Sequence, residues 1–288
     1  MRSGGIAEAL RAVSTAMNKS RITPESLISE VIWPVVRRTW RLLTGQQPDA
    51  WDVTAGRVAS GPFRGMRYGH NSIGSVFSAK LLGTYERELH PWMDEIIATP
   101  YRRVHVVGCA EGYYAIGLAR VMPDATILAY DLDARVPAAL ADMAARNSVA
   151  NRVRFGGEFT PASLAGDMVD AALVVCDVEG AEKSLLDPTA DPQLLRCDLL
   201  AEIHDAATGS LERVIESRFA STHRIRRVAA EERTCEDLPP RMRHRLTTDR
   251  AVQMMNERRK YGLTWLLMQR RDMGDDQRFG DCIREKHV

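Results

Sequence analysis

Residues 104–117 read VHVVGCAEGYYAIG, an apolar run suited to a buried strand, then a turn rich in glycine, then a stretch able to open a helix. Glycines in such a turn let a ligand approach the backbone closely, and nucleotide-like ligands are commonly held this way. A dinucleotide fingerprint needs the tight GxGxxG spacing, whereas the glycines here stand at Gly108, Gly112 and Gly117. Glu111 adds a second objection. It stands where the helix amino terminus would collect an anion, and its charge repels a pyrophosphate. The same charge suits a cation. S-adenosylmethionine carries a sulfonium and an ammonium and no phosphate, so Gly108, Glu111 and Gly112 make a chemically sensible cradle for it. Asp131 closes the next apolar run, ATILAYD, where a carboxylate can accept both hydroxyls of a ribose or else cap the following turn. Glu158 and Phe159, after a third run, RVRF, are candidates to meet the adenine.

A second set of reactive residues follows two later apolar runs. Asp177 and Glu179 come after AALVVC, while His204 and Asp205 end the stretch CDLLAEIHD. In a parallel sheet all four would lie at the carboxyl ends of strands, where open α/β sheets bind their ligands. Methyl transfer from a sulfonium to a hydroxyl is an in-line displacement, accelerated mainly by alignment and further by a base for the hydroxyl proton. His204 is the expected base because its ordinary pKa lies near neutrality, with Asp177 and Glu179 as catalytic carboxylates that position the acceptor. A satisfied structural histidine is the alternative. The four side chains would also suit Mg²⁺ or Mn²⁺. Asp177 and Glu179 share a face only if the strand runs on, however, and Gly180 favours a turn equally. The expectation is therefore a metal-independent site with no metal ligand assigned. Glu182 and Lys183 read as the first turn of a following helix.

The elements that must hold these groups change character near residue 100. Before it, the chain reads as a helical extension, residues 1–100, with Thr23 and Pro24 opening a helix whose apolar positions include Ile28, Ile32, Val36 and Leu43. Arginines and tryptophans on that segment suit a basic rim on a helix packed against its own domain better than a membrane-surface helix. A connection, ASGPFRGMRYGHNSIG, leads to KLLGTYERELHPWMDEIIA, helical in period with a break expected at Pro91. Tyr85 and Glu86 within it are candidates for a lid over the cofactor. From 101 to 271 strands and helices alternate, the pattern of an α/β fold with a mostly parallel sheet flanked by helices. HRIRRVA and LTWLLMQ read as strands near the edge, and 272–288 as a polar tail.

Against this background VVGCAEGYYA, ILAYDLD, LLAEIHD and above all VVCDVEGAEKSLL resemble the FkbM-type family of S-adenosylmethionine-dependent O-methyltransferases, across roughly residues 80–230. The resemblance implies a Rossmann-like methyltransferase fold, S-adenosylmethionine as cofactor, and a hydroxyl on a small molecule or glycan as acceptor. The position two before the first glycine, usually acidic in such methyltransferases, is Val106 here. Methylation of nucleic acid or protein is an alternative, as is a catalytically degenerate fold that serves as a binding module. Between Arg218 and Lys260 there are twelve Lys or Arg against six Asp or Glu, but no interleaved aromatic residues for base stacking, so a solvated loop is expected rather than a nucleic-acid face. A formal charge of +1 gives no global steer toward polyanions. Five cysteines without CxxC spacing point to a reducing cytoplasm. Neither a signal peptide nor an apolar span of about 18 residues is evident, so no membrane span is expected.

Overall fold

The computed structural model describes residues 49–69, 72–165, 172–205, 209–257 and 263–271. The helix expected over 23–43 and the tail at 272–288 lie outside the described residues. A short helix, α1 (Ala50–Thr54), is opened by a capping box in which Asp49 and Asp52 each accept the other's backbone amide. It is followed by α2 (Phe77–Leu82) and α3 (His90–Ala98). The break expected at Pro91 lies earlier, at Gly83, whose left-handed φ of 74° ends α2. Pro91 instead occupies the first turn of α3, where a missing N–H costs nothing.

The remaining elements alternate: β1 (Arg103–Val107), α4 (Tyr113–Val121), β2 (Thr126–Tyr130), α5 (Val136–Arg146), β3 (Val153–Gly157), α6 (Ala162–Ala165), β4 (Ala172–Cys176), α7 (Glu182–Leu185), β5 (Cys197–His204), α8 (Ser210–Phe219), β6 (His223–Ala229), α9 (Thr248–Met255) and β7 (Leu263–Arg270). They build one seven-stranded sheet in the order β3-β2-β1-β4-β5-β7-β6. Strands β1 to β5 are parallel, and β7 runs antiparallel to both of its neighbours. This is the mostly parallel, helix-flanked α/β architecture of the Rossmann-like type. LTWLLMQ is not at the edge: β7 inserts between β5 and β6, which explains why Trp265 to Met268 are fully buried. The chain leaves β1 toward β2 and β3 and returns on the other side as β4, so a crevice opens between the carboxyl ends of β1 and β4.

Side-chain alternation along the strands feeds two apolar cores, one on each face of the sheet. Leu173, Val175 and Leu200 join one core, while Val174, Cys176, Leu199, Ala201 and Ile203 join the other. The first core also takes Trp51, Phe63, Tyr68, Leu82 and Met93 from the segment before β1. The change of pattern at residue 100 is thus a change of element type within a shared core. In the basic stretch RMRHR, Met242 is buried, Arg243 donates to the carbonyls of Glu236 and Leu238, and Arg245 donates to that of Val53. These guanidinium groups knit an irregular segment together. Among the described residues no helix is long and apolar enough to cross a membrane.

Candidate functional site

A cavity of about 920 Å³ opens at the carboxyl ends of β1, β2, β4 and β5, a size suited to a cofactor together with an acceptor group. Of the residues expected at a cofactor, Gly108, Asp131 and Glu158 line it. Of those expected to be catalytic, Asp177, Glu179 and His204 do. Glu111 and Gly112 do not reach its wall.

The β1 end shows why glycine stands at 108. With φ at 76°, a Cβ there would lie 1.6 Å from the carbonyl oxygen of Asp177, so only glycine lets the turn close against the end of β4. Gly112, at φ 103°, opens α4. Asp131 stands beside this turn and organises it. One of its oxygens accepts the amide of Ala110 at 2.8 Å, and the other that of Asp133 at 2.9 Å. A carboxylate offers about four acceptor positions, so two remain for a pair of hydroxyls. Glu158 and Phe159 follow β3 on the same wall, and the Phe159 ring meets that of Tyr130 edge to face at 5.1 Å.

Glu111 sits differently from the expectation of a ligand-facing charge. Its carboxylate is 2.6 Å from the Lys80 ammonium and accepts from Ser72 Oγ at 3.0 Å, from the amide of Ile73 at 2.7 Å and from the Tyr68 hydroxyl. Burial alone would raise its pKa, but Lys80 and these donors outweigh that and hold it below the usual carboxylate range. Lys80 also lies 5.0 Å from the Tyr85 ring centroid and 5.3 Å from that of Tyr113. The glutamate of the glycine turn therefore ties down Tyr68, Ser72, Ile73 and Lys80, of which Ile73 and Lys80 line the cavity.

At the other end, His204 closes β5. Its Nδ1 lies 2.5 Å from Glu182 Oε1, and since an ionised carboxylate only accepts, Nδ1 carries the hydrogen. Burial pulls the imidazole pKa down, but this hydrogen bond and the charges of Asp177, Glu182 and Glu179 more than reverse it, leaving the pKa raised. The Glu182 carboxyl, which burial would raise, is held low chiefly by the same bond. Nε2 stands 3.7 Å from Asp177 Oδ1, 3.7 Å from Glu179 Oε2 and 3.5 Å from Glu202 Oε2. Ligand-type atoms of Asp177, Glu179 and His204 all lie within 4.8 Å of one another, as do those of Glu86, Asp177 and Glu202. The fourth expected group, Asp205, also lines the cavity, but its Oδ2 accepts the amide of Leu211 at 2.7 Å and so caps α8.

Sequence reasoning missed Lys80, Glu182 and Glu202 as parts of this site and treated Glu86 only as a lid candidate. Glu202 carries a readable signal: it is two residues before His204 on one strand, hence on the same face, and a glutamate inside an apolar strand needs a reason. Glu182 does begin α7, yet its side chain is fully buried against His204 rather than solvated. Glu86 is buried, takes a hydrogen bond from the Tyr114 hydroxyl, and has a left-handed φ of 48°. Ala110 and Glu179, at φ 45° and 53°, share that unfavourable region, so two of the five such non-glycine residues among those described line the cavity.

No family model matches the chain, and no curated protein matches it in sequence. The FkbM-type resemblance thus rests on its motifs alone. Solved structures do match in chain fold. The O-methyltransferase TomG from Streptomyces achromogenes, involved in tomaymycin synthesis and solved with S-adenosylmethionine, is 14% identical, with 67% of this chain and 90% of that one covered and a TM-score of 0.42. An O-methyltransferase from Bacillus cereus, solved with S-adenosylhomocysteine, is 11% identical over 61% of this chain and 77% of its own, with a TM-score of 0.40. A precorrin-6y C5,15-methyltransferase from Geobacter metallireducens is 10% identical over 62% and 86%, with a TM-score of 0.42. At such identities the likeness is one of fold alone and assigns no substrate.

Proposed function

We propose that the protein is an S-adenosylmethionine-dependent methyltransferase that acts on a hydroxyl of a small molecule or glycan. The observation that carries this reading is the sharing of one cavity by two groups of residues: Gly108, Asp131 and Glu158 at the ends of β1 to β3, and Asp177, Glu179 and His204 at the ends of β4 and β5. The first group fits the cofactor. Gly108 removes the side chain that would fill the turn, Asp131 retains acceptor positions for ribose hydroxyls, and Glu158 and Phe159 border the place for a base. Glu111 is assigned a different part from the one its sequence position suggested. It holds Ile73 and Lys80 against the cavity, and the acidic wall itself supplies the negative potential that favours a sulfonium.

When bound, S-adenosylmethionine supplies an activated methyl group. A hydroxyl oxygen held in line with it would take the methyl carbon as the C–S bond gave its electron pair to sulfur, and the hydroxyl proton would pass to His204. What the chain must do is hold the acceptor in line and manage that proton. Asp177, Glu179 and His204 stand where both tasks fall. Calorimetry with the full chain tests the reading: one molecule of S-adenosylmethionine should bind per chain. Clear binding of NAD with no heat from S-adenosylmethionine would overturn it.

A further inference from the structure

We propose that Lys80 binds the carboxylate of the cofactor's amino-acid tail and so selects S-adenosylmethionine over related nucleosides that lack that group. The inference rests on the S-adenosylmethionine reading and deepens it. Among the described residues that line the cavity, Lys80 is the only lysine or arginine, whereas eight aspartates and glutamates border the same space. His204, the other group there able to carry positive charge, already faces the carboxyl groups of Asp177, Glu179, Glu182 and Glu202. S-adenosylmethionine brings two cationic centres and a single anion. Whatever else the acidic side chains bond to, an ionised carboxyl group only accepts hydrogen bonds, so the anion of the cofactor needs a donor elsewhere.

The glycine turn does not supply that donor. The amides of Gly108 and Cys109 both donate to the Tyr130 carbonyl, that of Ala110 donates to Asp131, and that of Gly112 donates to the Cys109 carbonyl. Lys80 differs. Its ammonium has three N–H groups, of which one goes to Glu111 Oε1 at 2.6 Å and one, at a long 3.4 Å, to Ser72 Oγ; among the described residues no acceptor takes the third. Glu111 does not exhaust the charge, because its carboxylate is shared with the Tyr68 hydroxyl, Ser72 Oγ and the Ile73 amide. The rings of Tyr85 and Tyr113, which line the cavity with centroids 5.3 Å apart, stand 5.0 and 5.3 Å from Nζ and hold the cation by their faces. At 3% exposure the ammonium has little water to compete with a ligand, which strengthens a charge-assisted hydrogen bond.

The position also suits the cofactor's covalent order. Lys80 holds Glu111, the neighbour of Ala110, and Ala110 is held by Asp131, the residue assigned to the ribose. The cation therefore stands one residue along the turn from the ribose acceptor, and the amino-acid tail is joined to that ribose through the sulfur. Anchors at the ribose and at the tail flank the sulfur. Lys80 is thus a positioning residue, restricting the direction in which the methyl group is offered.

Calorimetry on the full chain with two ligands, S-adenosylmethionine and its decarboxylated form, tests the proposal without any acceptor. The two differ only in the carboxylate. The wild-type chain should bind S-adenosylmethionine about ten- to a hundredfold more tightly, the range expected of one charge-assisted pair. K80M combined with E111Q removes both charges together, so no buried carboxylate is stranded, and the amide oxygen still accepts from Tyr68, Ser72 and Ile73. This variant should lose the same factor for S-adenosylmethionine and keep the wild-type affinity for the decarboxylated ligand, which also shows that it folds. Equal affinity of the wild-type chain for the two ligands overturns the role of Lys80, with no variant needed, and leaves the methyltransferase reading standing. Equal loss of both ligands in a variant that still melts cooperatively overturns it too, because a merely structural lysine would not distinguish them. Binding of neither ligand by the wild-type chain would remove the methyltransferase reading and this inference with it.

Discussion

Glu111 and Glu182 are both buried glutamates that follow a parallel strand, one after β1 and the other after β4, and they are compensated in different ways. Glu111 meets the Lys80 ammonium and three hydrogen-bond donors, so this carboxylate is locally paired and built to hold a shape. Glu182 meets an imidazole whose far side faces the carboxylates of Asp177, Glu179 and Glu202. Neutralised charge near the cofactor residues serves architecture. The carboxylates near the acceptor residues instead gather around one imidazole whose orientation is fixed from behind by Glu182.

The largest consequence of this contrast should be one of stability. Replacing Lys80 with methionine strands the Glu111 carboxylate, and breaking a buried pair on one side costs about 3 to 5 kcal/mol. The pH dependence follows from Glu111, whose pKa in the folded chain is depressed below its value when unfolded. Its contribution is therefore complete above the ordinary glutamate range and is lost as pH falls through the lower, folded value. Thermal melts should show the wild-type chain holding its midpoint through mildly acidic pH, whereas K80M, whose stranded carboxylate is relieved by protonation, should be weakest near neutrality and recover part of the difference as pH falls. A K80M variant as stable as wild type at pH 7 would mean that the pair contributes nothing.

At the acceptor end the effect should fall on turnover. His204→Ala should lower kcat by about a hundredfold or more, with S-adenosylmethionine affinity nearly unchanged. Equal loss of cofactor binding would erase the distinction between the two ends. Asp131→Ala should do the reverse, weakening S-adenosylmethionine binding roughly tenfold or more through loss of a charged hydrogen-bond acceptor, equivalent to about 1.5 to 3 kcal/mol. Calorimetry on both variants decides whether the two halves of the cavity are separable.

How much of this was legible follows the same division. The sheet was readable because buried parallel strands are short continuous apolar runs, as AALVVC and CDLLAEIH illustrate, and the residues that close them had to gather at one end. The insertion of β7 between β5 and β6 was not readable, because a sequence does not state pairing order and an apolar strand reads alike at an edge or inside. Glu111 was assigned to the ligand because its partners, Tyr68, Ser72, Ile73 and Lys80, are 31 to 43 residues away and carry no local signal. The orienting partner of His204 was hidden for a similar reason: Glu182 is 22 residues distant and lies on another element. Long-range charge pairing was thus the main thing the chain did not disclose.

The smallest expected effect concerns the backbone that presents Glu179. At φ 53° this residue occupies a region that a side chain adopts at a cost of about 1 kcal/mol, and Gly180 beside it, at φ 114°, makes the turn sharper. The structure retains that cost at a position whose side chain is largely exposed, so packing does not explain it. If the turn exists to bring Oε2 toward His204, then Glu179→Gly should relieve the strain and raise or preserve stability, by at most about 1 kcal/mol, while reducing activity. Glu179→Gln keeps the strained turn and removes only the charge, so it should lower activity without the gain in stability. Thermal melts and initial rates of the two variants separate these effects. A glycine variant that is both more stable and fully active would show that the strain serves no purpose at this site.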